Sequence, residues 1–173
     1  MVVYVYTNSL STNMIEIITL IGVVIAVMQL YQNNRIKRGE FINSLYDKLI
    51  NDHNLIMTMT KMDYNGSWYG RDFHGSHFES DVDILFKYLS FICYLKERRL
   101  ISQKDMKLFE YIIIRTCLSF QSIEYLWNLY HFSKKCTIEC PFMPIIRYGE
   151  NREMITSDFY NSKSKLFNKY LNF

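Results

Sequence analysis

The chain has 173 residues, of which 49% are hydrophobic, 16% aromatic and 21% charged, and its formal net charge is +3. This charge does not indicate a nucleic-acid-binding protein, because Lys and Arg are scattered among acidic residues and form no basic recognition helix. Only 2 prolines and 6 glycines occur in the chain. Long stretches without either residue favour an all-α fold and disfavour a many-stranded sandwich.

An apolar stretch from Met14 to Tyr31 has Glu16 as its only charged residue. As a helix, its ~18 residues extend about 27 Å, close to the thickness of the hydrocarbon core of a bilayer. Apolar residues fall on every face of that helix, which is typical of a membrane span. We predict a transmembrane anchor at 14–34, with Asn13 as its N-cap, preceded by an irregular extracytoplasmic tail at 1–13.

Two other assignments fit an apolar stretch near the start of a chain. A secretory signal peptide needs a basic region before the apolar stretch and a small-x-small cleavage site after it, and the sequence has neither. A buried core helix remains open, with Thr19, Gly22 and Gln29 as a mildly polar stripe. The length of the stretch and its uniform hydrophobicity favour the membrane span.

Three basic residues, Arg35, Lys37 and Arg38, follow the apolar stretch, whereas residues 1–13 contain no Lys or Arg. Basic residues next to a span favour the cytoplasmic side. We therefore predict a protein of the cell membrane, with its N-terminus outside and one cytoplasmic helical domain at 35–173. The cysteines are consistent with a reducing compartment, because Cys93 and Cys117 lie in apolar helical patterns where a free thiol acts as a small hydrophobe.

Helical spacing of apolar residues predicts a bundle of about five helices after the anchor. The anchor helix is expected to continue to about Asn51, with Gly39 as a weak point. Further helices are predicted at 53–62, 78–99, 103–119, 123–132 and 158–171, and their expected capping residues are Asp52, Ser76 with Glu79, Ser102 with Asp105, and Ser122. The segment 134–149 holds both prolines and is predicted to be a break.

A loop at 63–75 carries three glycines and several aromatic residues. We expect Trp68, Tyr69 and Phe73 to pin it as an ordered surface loop. Aromatic residues are also common in protein interfaces. The stretch from Trp68 through Phe73 to His74, together with a partner helix, is therefore predicted to be the interaction surface of the domain.

The densest set of possible metal ligands is Asp72, His74, His77 and Glu79. Helix capping by Ser76 and Glu79 explains much of this pattern, so we predict no metal and no cofactor. A membrane-tethered metal-dependent hydrolase that uses these four residues remains an alternative. Cys136, Cys140 and His131 form a weaker possible metal corner, because the two cysteines are further apart than a usual zinc pair.

No local signature of nucleophilic catalysis or of a phosphate-binding glycine loop occurs in the sequence. Three stretches follow the apolar segment in order: QLYQNNRIKRGEFINSLYDKLIND, DFHGSHFE and YLKERRLISQKDMKLFEY. With that segment they resemble an uncharacterised bacterial family of small single-span membrane proteins with a helical cytoplasmic domain of unknown function. The resemblance covers about Ile17 to Phe132. It implies a helical domain on the cytoplasmic face and transfers no activity and no catalytic residues.

These observations predict a membrane-anchored helical module for binding or regulation, and they favour a protein without enzymatic activity. Its expected partners are the membrane and either another protein or a second copy of the chain, but not nucleic acid. A further alternative is a membrane-acting effector or a component of a defence system that oligomerises through its anchor. Gly22 and Ala26 form the small-xxx-small pair that would allow such helices to approach closely.

Overall fold

A computed structural model describes residues 2–64 and 66–173, with side chains from Met14 onwards except that of Ile15. These residues form six α-helices, one short 3₁₀ helix and no strand, which confirms the all-α prediction. The helices are α1 (Val2–Asn51), α2 (His53–Tyr64), α3 (His77–Glu97), α4 (Gln103–Cys117), α5 (Phe120–Lys135) and α6 (Met143–Glu150), and the 3₁₀ helix is Ser157–Tyr160. The structure divides into two units, one ending at Ser44 and one from Leu45 to Phe173.

The first unit is the part of α1 up to Ser44, and residues 45–51 of the same helix belong to the second unit. The helix begins at Val2, so the predictions of an irregular tail and of an N-cap at Asn13 are wrong. No Pro or Gly precedes Gly22, and nothing in the backbone therefore stops the helix earlier. The helix also passes through Gly39 without a break. By length and composition, α1 is the one helix among the described residues that is long and apolar enough to cross a membrane.

The second unit is organised around α3, which packs against α2, α4 and α6. Apolar residues at helical spacing on α3 predict an inward face, and six of them are buried: Val82, Leu85, Phe86, Leu89, Ile92 and Cys93. The same spacing on α4 predicts an inward face of Met106, Phe109, Ile113, Thr116 and Cys117, which are all buried. Phe120, which continues that spacing, is instead 63% exposed at the start of α5.

The expected caps define the starts of three helices. Asp52 accepts hydrogen bonds from the Asn54 and Leu55 amides at 3.0 and 3.3 Å before α2. Ser76 Oγ accepts from the Glu79 amide at 3.1 Å before α3, and Ser102 forms a capping box before α4. The cap of α5 is Ser119 rather than the predicted Ser122. Ser122 is buried and its hydroxyl donates to the Thr116 carbonyl at 2.5 Å.

The C-terminal third differs most from the prediction. The segment 134–149, which the sequence predicts to be a break, contains α6. Pro144 is compatible with this helix, because it lies in the first turn, where a backbone N–H has no partner within the helix. The helix predicted at 158–171 is wrong: after the short 3₁₀ helix, residues 161–173 form no helix. We call residues 159–173 the C-terminal strap. Its main-chain groups are bound by side chains of α5, which replaces the hydrogen bonds that a helix would supply.

Candidate functional site

The aromatic residues of the loop between α2 and α3 are packed inside the domain. Trp68, Tyr69 and Phe73 are 8%, 3% and 6% exposed. Their ring centroids lie 5.9, 5.2 and 5.4 Å from that of Tyr125 on α5. These rings pin the loop, as the sequence predicts, but they face the interior, and their side chains do not offer a surface to a partner.

Gln121 on α5 fixes the same loop through its main chain. Its amide nitrogen donates to the Gly66 carbonyl at 2.8 Å, and its amide oxygen accepts from the Trp68 N–H at 3.0 Å. One side chain thus satisfies two backbone groups of a segment that has no regular structure. The loop is held at both its main chain and its rings by α5.

His74 and Glu79 are brought together, with Tyr69, in a short hydrogen-bonded chain. Glu79 Oε1 lies 2.7 Å from His74 Nδ1, and His74 Nε2 lies 3.1 Å from the Tyr69 hydroxyl. The second Glu79 oxygen accepts from the Gly75 N–H at 2.6 Å. Gly75 has a φ of +82°, a conformation that glycine adopts without strain, so the chain can turn tightly into α3.

A carboxylate, an imidazole and a hydroxyl in series resemble the arrangement that activates a nucleophile. Here the terminal hydroxyl belongs to the buried Tyr69, and burial raises the pKa of that phenol, with smaller contributions from nearby acidic groups such as Glu124. A buried phenol with a raised pKa is a poor nucleophile. The arrangement therefore holds the loop against α3 and is not suited to nucleophilic catalysis.

The structure does not assemble the four residues of the hydrolase alternative into a metal centre. Asp72 and His77 are exposed, and both ring nitrogens of His74 are engaged by Glu79 and Tyr69. Across the described part of the chain, no group of three or more His, Cys, Asp and Glu residues is placed to hold a metal ion. Only His74 and Glu79 of the predicted set are in contact.

The second possible metal site, formed by Cys136, Cys140 and His131, is not assembled either. Cys136 is exposed at the end of α5, whereas Cys140 is buried. His131 Nε2 lies 3.0 Å from the Phe159 carbonyl oxygen. Because a carbonyl only accepts, this nitrogen carries the hydrogen and cannot bind a metal.

The largest cluster of buried polar side chains lies on α5 and binds the C-terminal strap. Glu124 is 3% exposed, and its Oε1 accepts from the Asn168 N–H at 2.6 Å and from the Asn168 side-chain amide at 2.9 Å. Asn128 is fully buried. Its oxygen accepts from the Tyr170 and Leu171 N–H groups at 2.8 and 3.2 Å, and its nitrogen donates to the Asn168 carbonyl at 2.9 Å.

Glu124 and Asn128 begin a row of side chains along α5 that bind the strap, and three further side chains extend it. Trp127 Nε1 donates to the Asn161 carbonyl at 3.2 Å, His131 binds Phe159 as described above, and Lys135 Nζ donates to the Asn172 carbonyl at 2.9 Å. Burial lowers the pKa of His131; the hydrogen bond to Phe159 opposes this shift, and the charges of Lys134 and Lys169 add to it. The imidazole is therefore neutral near pH 7.

Sequence reasoning missed this row. Its members are Glu124, Asn128, His131 and Lys135, spaced 4, 3 and 4 residues apart, which is the spacing of one helix face. A polar face at this spacing normally indicates a helix surface that is exposed to solvent. The only available signal was that Trp127 lies within this face, where a solvent-facing surface would not need a large ring.

The basic residues that predict the membrane orientation and the small residues that predict helix association lie in the first unit. Arg35, Lys37 and Arg38 are exposed on α1, as are Gly22 and Ala26. Apart from the neighbouring residues and the backbone of the same helix, no atom lies within 4 Å of the position where a Cβ would stand on Gly22. Oligomerisation through Gly22 and Ala26 stays a prediction.

Comparisons with protein-family models, with curated proteins and with solved structures find no match to this chain. The resemblance to a family of single-span proteins over about Ile17 to Phe132 therefore stays a prediction.

Proposed function

We propose that α1 anchors this chain in the cell membrane as a single-pass span, and that the unit Leu45–Phe173 acts in the cytoplasm as a binding or regulatory module. The exposed apolar surface of α1 carries the proposal. Between Ile17 and Leu30 the large apolar side chains are 47–66% exposed. A continuous apolar surface of this kind is unfavourable in water, and a bilayer would cover every face of it.

The charges next to this surface support an orientation with the N-terminus outside. Arg35, Lys37 and Arg38 stand within one helical turn of each other, and residues 1–13 have no basic side chain. Lys and Arg within about 15–20 residues of a span favour its cytoplasmic end. The proposed partner of the cytoplasmic unit is another protein or a second copy of the chain.

The geometry favours binding over catalysis for the second unit. The hydrogen-bonded chain of Tyr69, His74 and Glu79 ends in a buried phenol, and the polar row on α5 is occupied by the chain's own strap. The metal-dependent hydrolase with Asp72, His74, His77 and Glu79 would need these side chains to rearrange. We therefore prefer the binding module.

Membrane fractionation of the full-length chain tests the proposal. We expect the protein to resist carbonate extraction and to require detergent, and we expect the unit Leu45–Phe173 to be protected from external protease in intact spheroplasts. Protein that is soluble without detergent would overturn the anchor. Digestion of that unit from outside would overturn the orientation.

Two matched variants show whether the apolar surface itself is responsible. Ile21→Lys with Val24→Lys places two charges mid-span, where each lysine costs about 2.5–3.5 kcal/mol of insertion free energy. This variant should become extractable by carbonate. Gln32→Lys with Asn33→Lys adds the same charge just after the apolar stretch, which ends at Tyr31, and this variant should remain in the membrane. Equal behaviour of the two variants would contradict the proposal.

A further inference from the structure

A cavity of about 390 Å³ lies between the end of α5 and the C-terminal strap. Its lining includes four lysines, a histidine and a serine: Lys134, Lys135, Lys163, Lys169, His131 and Ser162. No acidic side chain is among the residues that line it. The volume is at the lower end of the range for small-molecule pockets, which is roughly 300–1,000 Å³.

Two of the lysines are held in place by the strap. Lys135 Nζ donates to the Asn172 carbonyl at 2.9 Å, and Lys169 Nζ donates to the Phe173 main-chain oxygen. The Lys169 ammonium also lies 4.3 Å from the centroid of the Phe173 ring. These contacts use one of the three hydrogens of each ammonium for a main-chain oxygen, so both groups keep donors for a ligand.

Lys134 and Lys163 are exposed. Within residues 2–64 and 66–173, neither ammonium forms an ion pair with an acidic side chain. Glu150 contacts one of the lining residues, since it accepts a hydrogen bond from the Tyr160 hydroxyl at 2.6 Å, and Glu139 lines a neighbouring cavity together with Lys134. The four positive charges therefore repel one another, and an anion between them would relieve this repulsion.

This charge pattern distinguishes the cavity from two larger ones. A cavity of about 550 Å³ beside α3 and α6 is lined by Lys96 and Arg152 but also by Glu97. Another, of about 610 Å³, combines Arg98 and Arg147 with Glu97 and Glu139. In both, acidic side chains accompany the basic ones, so neither selects for an anion.

We propose that the cavity of Lys134, Lys135, Lys163 and Lys169 binds a phosphate group, either of a soluble phosphate ligand or of a lipid headgroup. Lysine ammonium groups bind phosphate as compact point charges. The Ser162 hydroxyl adds a neutral donor to the same lining. The site goes beyond the proposed function, because it does not depend on whether α1 crosses a membrane.

The test uses the full chain in nanodiscs of neutral phosphatidylcholine and inorganic phosphate as the probe. At constant ionic strength, replacing chloride with phosphate should raise the thermal unfolding midpoint saturably, by roughly 5–11 °C at 100 times the dissociation constant. Lys134→Gln with Lys163→Gln should abolish the rise. Lys134→Arg with Lys163→Arg keeps the charge and should retain most of it.

Lys104→Gln with Lys107→Gln is the matched control, because both residues are exposed on α4 and line none of the described cavities. This variant loses the same charge and should keep the full rise in midpoint. In chloride, the arginine variant and the control should unfold at the wild-type temperature, since the substituted side chains are exposed. The Lys134→Gln and Lys163→Gln variant should unfold at the same temperature or slightly higher, because it removes repulsion between the lysines.

Nanodiscs that contain phosphatidic acid distinguish the two sources of phosphate. A rise with inorganic phosphate assigns the site to a soluble ligand. A rise only with phosphatidic acid, again lost in the Lys134→Gln and Lys163→Gln variant, assigns it to a lipid headgroup. No rise with either probe, or an equal loss of the rise in the Lys104→Gln and Lys107→Gln control, would overturn the proposal.

Discussion

Asn128 illustrates how a single residue determines the conformation of a whole segment. It lies in the middle of α5, is fully buried, and satisfies two N–H groups and one carbonyl of the strap. Its nitrogen also donates to the Glu124 carbonyl one turn earlier, at 3.0 Å. Because both the oxygen and the nitrogen of its amide are used, a side chain without an amide group cannot make all of these hydrogen bonds.

We expect Asn128→Ala to lower the free energy of unfolding by about 2–3 kcal/mol, because it leaves the partly buried Tyr170 and Leu171 amides without a partner. Alanine is the better helix former, so helix propensity cannot explain a loss. Urea unfolding followed by tryptophan fluorescence measures the change. Trypsin should also cleave more readily after Lys163, Lys165 and Lys169.

Asn54→Ala on α2 is the control, since Asn54 is exposed and its replacement should change the free energy by at most about 0.5 kcal/mol. Similar losses for Asn54→Ala and Asn128→Ala would show that the hydrogen bonds to the strap contribute little.

Cys93 makes a testable contribution to pH dependence. Burial, with a smaller contribution from Glu97, raises the pKa of its thiol from 9.0 to about 12. Above pH 9 the unfolded chain therefore loses the thiol proton while the folded chain keeps it. The unfolded state then binds fewer protons, and stability falls as the pH rises towards 12.

We expect Cys93→Ala to reduce the slope of unfolding free energy against pH, between about pH 9 and 12, by up to about 1.4 kcal/mol per pH unit. Burial also raises the pKa of Cys117, so part of the slope should remain. Chemical unfolding at a series of pH values measures it. Ile92→Val, on the same buried face, should lower stability by about 1 kcal/mol without changing the slope; a reduced slope in this control would refute the assignment.

At the scale of the element, the helices begin where their capping side chains stand, and several end without glycine. Arg99 after α3 and Thr137 after α5 adopt φ values of 59° and 57°. At both ends the following amide bonds back to the last helical turn, from Leu100 to the Leu95 carbonyl at 2.9 Å and from Ile138 to the Ser133 carbonyl at 3.0 Å. This is the Schellman pattern, which usually has glycine at the left-handed position.

We expect Thr137→Gly to raise the free energy of unfolding by about 1 kcal/mol, because a β-branched residue is strained in the left-handed conformation. Thermal unfolding measures the gain. The same substitution in a helix interior should have the opposite sign: Thr60→Gly on the exposed side of α2 should lower stability by roughly 0.3–0.5 kcal/mol. If both substitutions changed the free energy of unfolding in the same direction, Thr137 would not be strained.

At the scale of the whole molecule, the proposed orientation depends on charges outside the packed unit. We expect Arg35→Gln with Lys37→Gln and Arg38→Gln to give a mixed orientation, because three of the four basic residues in the 20 positions after Tyr31 are then removed. Protease accessibility of the C-terminal unit in spheroplasts measures the fraction of each orientation.

The control for orientation removes three lysines from the strap, by Lys163→Gln, Lys165→Gln and Lys169→Gln. These residues lie far beyond the 15–20 residues that influence topology, so the variant should keep the wild-type orientation. An effect of the strap lysines equal to that of Arg35, Lys37 and Arg38 would contradict the charge rule for this chain.

Local patterns in the sequence were sufficient for the helices that depend on local interactions. The starts of α2, α3 and α4 follow from Asp52, Ser76 and Ser102, because each cap binds amides only two or three residues away. The buried faces of α3 and α4 follow from apolar spacing, since one face of each helix packs into the core. The apolar character of α1 is likewise a property of the sequence alone.

Only the tertiary structure decided the conformation of the strap and the role of the polar row on α5. Residues 163–171 have helical spacing, but N–H and C=O groups among them find partners more than 30 residues away, on Asn128 and Glu124. A long-range contact of this kind outweighs the weak helix propensity of a short segment. The basic cavity has the same origin, because it joins lysines of α5 to lysines of the strap, which no local pattern in the sequence brings together.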